Sequence, residues 1–259
     1  MGRSICITSG KGGVGKTTIT AAIGCAISNL GYSVVVVDTD FGLNNLDLAL
    51  CAEMQVVYNL ADCLEGRCRI RQALLQDAEH ENLYLLASTQ PYTYKPNKKA
   101  WKACMQELEN MFDFVLIDSP AGVDANWQFA VEVCHEVLVV VVPQLASLRD
   151  ADKVLSLIEP MQKEGVGLIV NRYRTEYVVQ QKMLSAQDIE EALHCEVVGC
   201  IPEIDVLTVA SVQEIGIHMQ YFENIAQTII SGEKRVITTH TPKLGVWNKI
   251  KKIWSRSAI

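Results

Sequence analysis

The 259-residue chain holds no apolar run near the roughly 18 residues that would span a bilayer, and its start lacks a signal-peptide pattern. Met1-Gly2-Arg3-Ser4-Ile5-Cys6 runs almost straight into a strand-like stretch, and Cys6 stands where a myristoylation signal on Gly2 would need Ser or Thr. Its nine cysteines, at 6, 25, 51, 63, 68, 104, 134, 195 and 200, include no Cys-x-x-Cys pair. That odd, unpatterned set looks unlike a disulfide framework or a zinc site, and it implies a reducing compartment. The nearest pairs, Cys63/Cys68 and Cys195/Cys200, read as small buried hydrophobes. Charge is scarce as well, 20% against 49% hydrophobic residues, so the chain can bury a large core and is not disordered. The length suits one large α/β domain or two small ones. A net charge of −7 argues against a broad nucleic-acid surface. Acid is missing altogether from Lys234 to Ile259, which carries seven of the 23 Lys/Arg and none of the 30 Asp/Glu. The expected organisation is therefore a domain over 1–237, a polar linker over 238–242 (Thr238-Thr239-His240-Thr241-Pro242) and a separate segment over 243–257.

Short β-branched runs alternate with longer helical patterns. The runs are Ile5–Thr8, Val34–Val37, Leu83–Leu86, Phe114–Ile117, Val137–Val142, Val166–Val170 and Val197–Ile201. Being almost continuously apolar, they predict parallel strands covered on both faces. Helices are expected over Thr17–Asn29, Lys99–Asn110, Leu148–Lys163 and Ala186–Leu193. Alternation of the two predicts a doubly wound, mostly parallel sheet with right-handed crossovers.

Gly10-Lys11-Gly12-Gly13-Val14-Gly15-Lys16-Thr17 fits G-x-x-x-x-G-K-[ST] between a strand and a helix, the setting this motif requires. Glycines let backbone N–H groups wrap around phosphates, and the helix adds its positive end. Lys16 is expected to reach the β- and γ-phosphates of ATP, with Thr18 beside them and the Thr17 hydroxyl on Mg2+. Two strands end in acid, Val34–Val37 in Asp38-Thr39-Asp40 and Phe114–Ile117 in Asp118-Ser119-Pro120. Ligands of open α/β sheets bind beyond strand carboxyl ends, which brings these acids to the loop. Asp118 is then the Walker B carboxylate.

A second lysine within the loop, Lys11, makes the motif resemble the deviant Walker A of the ParA/MinD ATPase superfamily. The resemblance implies that Lys11 crosses a nucleotide-sandwich homodimer to the partner's phosphates. It further implies that Asp40 positions the attacking water and that Asp38 lies near the metal. The MinD branch, the bacterial division-site ATPases, is resembled nearly end to end: in Phe41-Gly42-Leu43-Asn44-Asn45-Leu46-Asp47-Leu48, Val57-Tyr58-Asn59-Leu60, Leu64-Glu65-Gly66-Arg67-Cys68, Asn82-Leu83-Tyr84-Leu85-Leu86, Asp118-Ser119-Pro120-Ala121-Gly122 and Leu148-Arg149-Asp150-Ala151-Asp152-Lys153. That branch implies an adenine contact from Asn171, with Arg172 and Pro202 nearby, and partner contacts from Asp150 and Asp152. It implies a MinC-like septation inhibitor and a MinE-like or other topological regulator as partners. Two positions depart from the pattern: Ile204 replaces an acid in Ile201-Pro202-Glu203-Ile204-Asp205, and Asn44 stands where Arg is common.

The C-terminal segment speaks for the same branch. If 246–256 is helical, Val246, Trp247, Ile250, Ile253 and Trp254 share an arc of about 120°, flanked by Lys249, Lys251, Lys252 and Arg256. Tryptophans on an apolar face ringed by cations suit an anionic membrane surface. The expected protein is cytoplasmic and reversibly peripheral on the inner membrane, and binds no specific nucleic-acid sequence. A ParA-type DNA-partitioning ATPase and a MinD-like flagellar-number regulator are the alternatives; the first needs a basic body, and the basic excess lies in the tail.

Overall fold

The computed structural model describes residues 2–41, 45–88, 97–204 and 212–232. Asn44, Asp205, the expected 238–242 linker and the proposed membrane face from Val246 to Trp254 lie outside the described residues.

An eight-stranded sheet has the order β3-β4-β2-β5-β1-β6-β7-β8. Its strands are β1 (Arg3–Thr8), β2 (Val34–Asp38), β3 (Leu74–Gln76), β4 (Leu83–Leu86), β5 (Phe114–Asp118), β6 (Glu136–Val141), β7 (Gly165–Tyr173) and β8 (Val197–Pro202). All pair in parallel except β3, an antiparallel edge on β4. The seven runs visible in the sequence are the seven parallel strands. β3 was missed because its three residues follow directly on a helical turn and carry no period of their own.

Strand residues alternate between two cores, and this is why the runs are apolar throughout. Cys6, Val35, Val37, Val115 and Ile117 face α5 (Lys98–Met111), α6 (Ala125–Glu132), α7 (Leu145–Ile158) and α9 (Ala186–Leu193). The short helices α3 (Leu60–Leu64), α4 (Ile70–Ala73) and α8 (Thr175–Val179) complete that layer. Ile5, Ile7, Val34, Val36 and Leu116 face α1 (Lys16–Asn29), α2 (Leu46–Ala49) and α10 (Met219–Ser231). α1 is caught between the sheet and α10, so Ile19 to Ile27 are buried all round. α7 ends at Ile158 rather than running on to Lys163; Pro160 follows in a short 3-10 turn, where it cannot continue the α-helical ladder.

β1 lies between β5 and β6. Chain connections diverge on its two sides, so its carboxyl end opens the crevice in which such sheets bind ligands.

Candidate nucleotide site

β1 hands the chain to a loop over 9–15 and then to α1. Gly15 caps this helix with φ 97°, a left-handed conformation that costs a glycine nothing. No side chain caps the first turn and no acid lies in it. The orphan N–H groups and the helix dipole therefore face the loop cavity as a built-in anion site. Lys16 is 7% exposed and sits among carboxylates: burial lowers its pKa, while Asp118 and Asp40 pull it back up. Lys11, by contrast, is exposed on the rim. The loop itself is pinned by Ser9 Oγ, which donates to the Lys11 carbonyl at 2.7 Å.

Asp38 and Asp118 are register partners across β2 and β5, which puts two buried carboxyls side by side. Burial pushes Asp118 up to about 6, against hydrogen bonds from Thr17 and Thr20 and the charge of Lys16, which lower it. Asp38 is pushed well above the carboxylate range, by burial first and then by Asp118, despite amide donation from Asp40 at 2.8 Å and Leu46 at 3.3 Å. Asp40, half-buried, is also raised by burial and held down by Lys16. All three carboxyls hold a proton more tightly than a free carboxyl does, burial being the first cause in each. Hard oxygens from Thr17, Asp118 and Asp38 suit Mg2+, and Lys16 with the uncapped helix end suits the phosphates it accompanies. When bound, the ion would neutralise charge on the phosphates.

Asn171 lies at 8% exposure where β7 bulges. Its Nδ2 donates to the Val14 carbonyl at 2.8 Å and would meet a Cβ on Gly15 at 2.7 Å. Arg172 takes a left-handed φ of 55°, which sends its guanidinium to the Gly13 carbonyl at 3.0 Å. The two residues hold the loop from behind. Thr18 is half-buried on α1, Val14 is buried, Gly12 is exposed, and Pro202 ends β8 beside Tyr173. Ile204 is buried in the α1 core at 6% exposure, a position that explains an apolar residue there.

Asp150 and Asp152 are partly exposed on α7, with the Asp150 carboxylate 3.9 Å from Lys153. α7 also forms the floor of the loop: a Cβ on Gly10 would lie 2.4 Å from the Asp150 carbonyl oxygen.

Several supporting groups were not among the residues singled out from the sequence. Thr20 Oγ1 is shared between the Lys16 carbonyl at 2.9 Å and Asp118 Oδ1 at 3.3 Å. Thr39 Oγ1 donates to the Asp118 carbonyl at 2.7 Å, and Trp127 Nε1 donates to Thr8 Oγ1 at 2.8 Å. Thr20 could have been found from its place one turn beyond Lys16; Trp127 could not.

A family model described as an AAA domain matches residues 2–173. The septum site-determining protein MinD of Thermotoga maritima is 39% identical over 241 residues, 88% of each chain. Among solved structures, a MinC:MinD cell division complex from Aquifex aeolicus is similar with TM-score 0.83 and 37% identity, over 91% of this chain and 98% of that one. MinD of Pyrococcus horikoshii, complexed with Mg-ADP, has TM-score 0.79 and 28% identity over 92% and 100%. Structures of ParA-type and plasmid-partition proteins, 18–21% identical, share the fold.

Proposed function

The chain belongs to the MinD family of septum site-determining P-loop ATPases, and we propose that ATP drives its dimerisation and, through the dimer, its residence on a membrane. It is an Mg2+-dependent ATPase that turns ATP into ADP and phosphate in division-site positioning.

The observation that carries the proposal is the contrast between the two loop lysines. Lys16 is buried with the carboxylates of its own site, whereas Lys11 stands on the rim of the same loop. Lys16 is thus committed to the phosphates of its own nucleotide. Lys11 is free to reach phosphates bound by a second copy placed face to face. Asp40, two residues beyond β2 and within the field of Lys16, is the residue proposed to orient the attacking water. Loss of the γ-phosphate then removes the group on which both lysines converge, leaving Lys16 only the β-phosphate.

The basic C-terminal segment is the proposed anchor. One short amphipathic helix binds lipid marginally; two on one particle gain from effective concentration. Among the described residues no helix is long and apolar enough to cross a membrane. α7, with Asp150 and Asp152, is the proposed face for a MinC-like inhibitor and a MinE-like or other regulator. A relative solved as a MinC:MinD complex supports the first of these partners.

Pelleting with anionic vesicles in ATP, ADP or no nucleotide tests the switch. Binding is expected with ATP alone, Lys11→Ala should remove it together with the dimer, and Ile250→Glu should remove it without changing nucleotide affinity. Equal pelleting in all three nucleotide states would refute it.

A further inference from the structure

We propose that Cys63 and Cys68 form a reversible modification site, closing to an intramolecular disulfide under a disulfide-class oxidant such as oxidised glutathione. In the structure all nine cysteines are free, yet these two sulfurs stand 3.6 Å apart. The chain between them is a helix stop that folds back on itself. α3 begins with a capping box in which Asn59 accepts from the Asp62 amide and Asp62 accepts from the Asn59 amide. It ends at Leu64, and two residues on Gly66, with φ 73°, reverses the chain, the Arg67 amide donating to the Asp62 carbonyl at 2.8 Å and the Gly66 amide to the Cys63 carbonyl at 3.1 Å. This is the bonding of a glycine-terminated helix, and it lays residue 68 over residue 63. Arg67 Nε clasps Asp62 Oδ1 at 2.7 Å across the same turn. Closing the sulfurs to about 2.05 Å asks for a shift of roughly 1.5 Å, within side-chain rotation in a turn already closed by hydrogen bonds.

Access separates this pair from the others. Cys63 and Cys68 are both half-buried, packed against the edge of the core from a turn whose residues Glu65, Gly66 and Arg67 are exposed. Cys6 and Cys134 also interact with each other, but both are sealed within the sheet core. Cys104 neighbours the pair from α5 and is itself buried. Burial and the adjoining sulfur raise the Cys63 thiol; Cys68, flanked by the exposed Arg67 and Arg69, is the sulfur an oxidant in solution meets first. Cys68 releases its proton to solvent, and its sulfur displaces one glutathione thiolate from the oxidant. Cys63 then loses its proton and displaces the second glutathione from Cys68. Two S–H bonds give way to one S–S bond; the protein loses two electrons and two protons, and oxidised glutathione becomes two molecules of glutathione.

The test is the full chain equilibrated with oxidised or reduced glutathione, alkylated, and digested after arginine and lysine. Cleavage at Arg67 and Arg69 leaves Cys68 on a two-residue fragment, which only a disulfide can keep attached to the peptide ending at Arg67. With oxidised glutathione that peptide should retain Cys68-Arg69, and reduced glutathione should reverse it. Cys63→Ala should abolish retention and leave Cys68 as a glutathione adduct, while Cys104→Ala should leave retention unchanged. Free alkylation of both cysteines under the oxidant would overturn the assignment. So would retention that survives Cys63→Ala, or retention that requires Cys104.

Discussion

Asn171→Ala separates two roles that one side chain can play at this site. Its amide nitrogen donates to the Val14 carbonyl at 2.8 Å, and Val14 itself is 3% exposed. Truncation leaves a buried carbonyl without that donor, a cost of about 1–3 kcal/mol. Because the orphaned group belongs to the loop that cradles phosphate, most of this cost should fall on the nucleotide-competent loop. ADP affinity should then drop about five- to 150-fold, at roughly 1.4 kcal/mol per factor of ten. Calorimetric titration with Mg-ADP, ATP and GTP, beside thermal unfolding of the free protein, reads the outcome. A loop-bracing role lowers affinity for adenine and guanine nucleotides alike, whereas a contact with adenine lowers ATP and spares GTP. Asn171→Asp should be worse than Ala, since it sets an anionic oxygen against a carbonyl. Unchanged affinity and unchanged midpoint for Asn171→Ala would refute the reasoning.

Gly10→Ala puts a Cβ 2.4 Å from the Asp150 carbonyl oxygen, so the loop or α7 must give way; a loss of about 1–3 kcal/mol is expected, and an unaltered unfolding midpoint would contradict it. Asp118 titrates near 6 in the folded chain, above its unfolded value, so the folded state holds the proton more tightly and stability falls as pH rises from about 4 to 6. Asp118→Asn should therefore stabilise the nucleotide-free, Mg-free protein at pH 7.5 by at most on the order of 3 kcal/mol, with the gain vanishing below about pH 4, and should lose Mg2+-dependent hydrolysis. A lower midpoint at pH 7.5 would show that its hydrogen bonds outweigh its burial. Asp40→Ala should keep ADP affinity within a few-fold, keep the ATP-dependent dimer and lose phosphate release; normal turnover would show the water is oriented by another group.

Much of the parallel sheet was legible because burial on both faces leaves a signature in each strand, as in Val34-Val35-Val36-Val37. The phosphate loop was legible because its glycines and lysine have to sit at fixed spacing. Edge strand β3, three residues long, was not, nor were helices α6 and α10, whose places are set by what they pack against. Nor was the bracing of the loop by Asn171 and Arg172, residues separated from Val14 and Gly13 by more than 150 positions. Only the bulge in β7 brings them there. Ile204 shows the opposite case: a departure visible in the sequence whose reason, burial against the α1 core, appears only in three dimensions.

The placement of α10 sets where the chain can be cut. Phe222, Ile225, Ala226 and Ile229 cover the back of α1, and Arg3 Nη1 reaches the Ile229 carbonyl at 2.5 Å. The outermost helix of this layer is therefore a lid on the phosphate-binding helix rather than an appendage. A shortened protein meant to shed the basic tail should end beyond Gly232; one that ends before Met219 would strip the cover from α1 and be expected to precipitate.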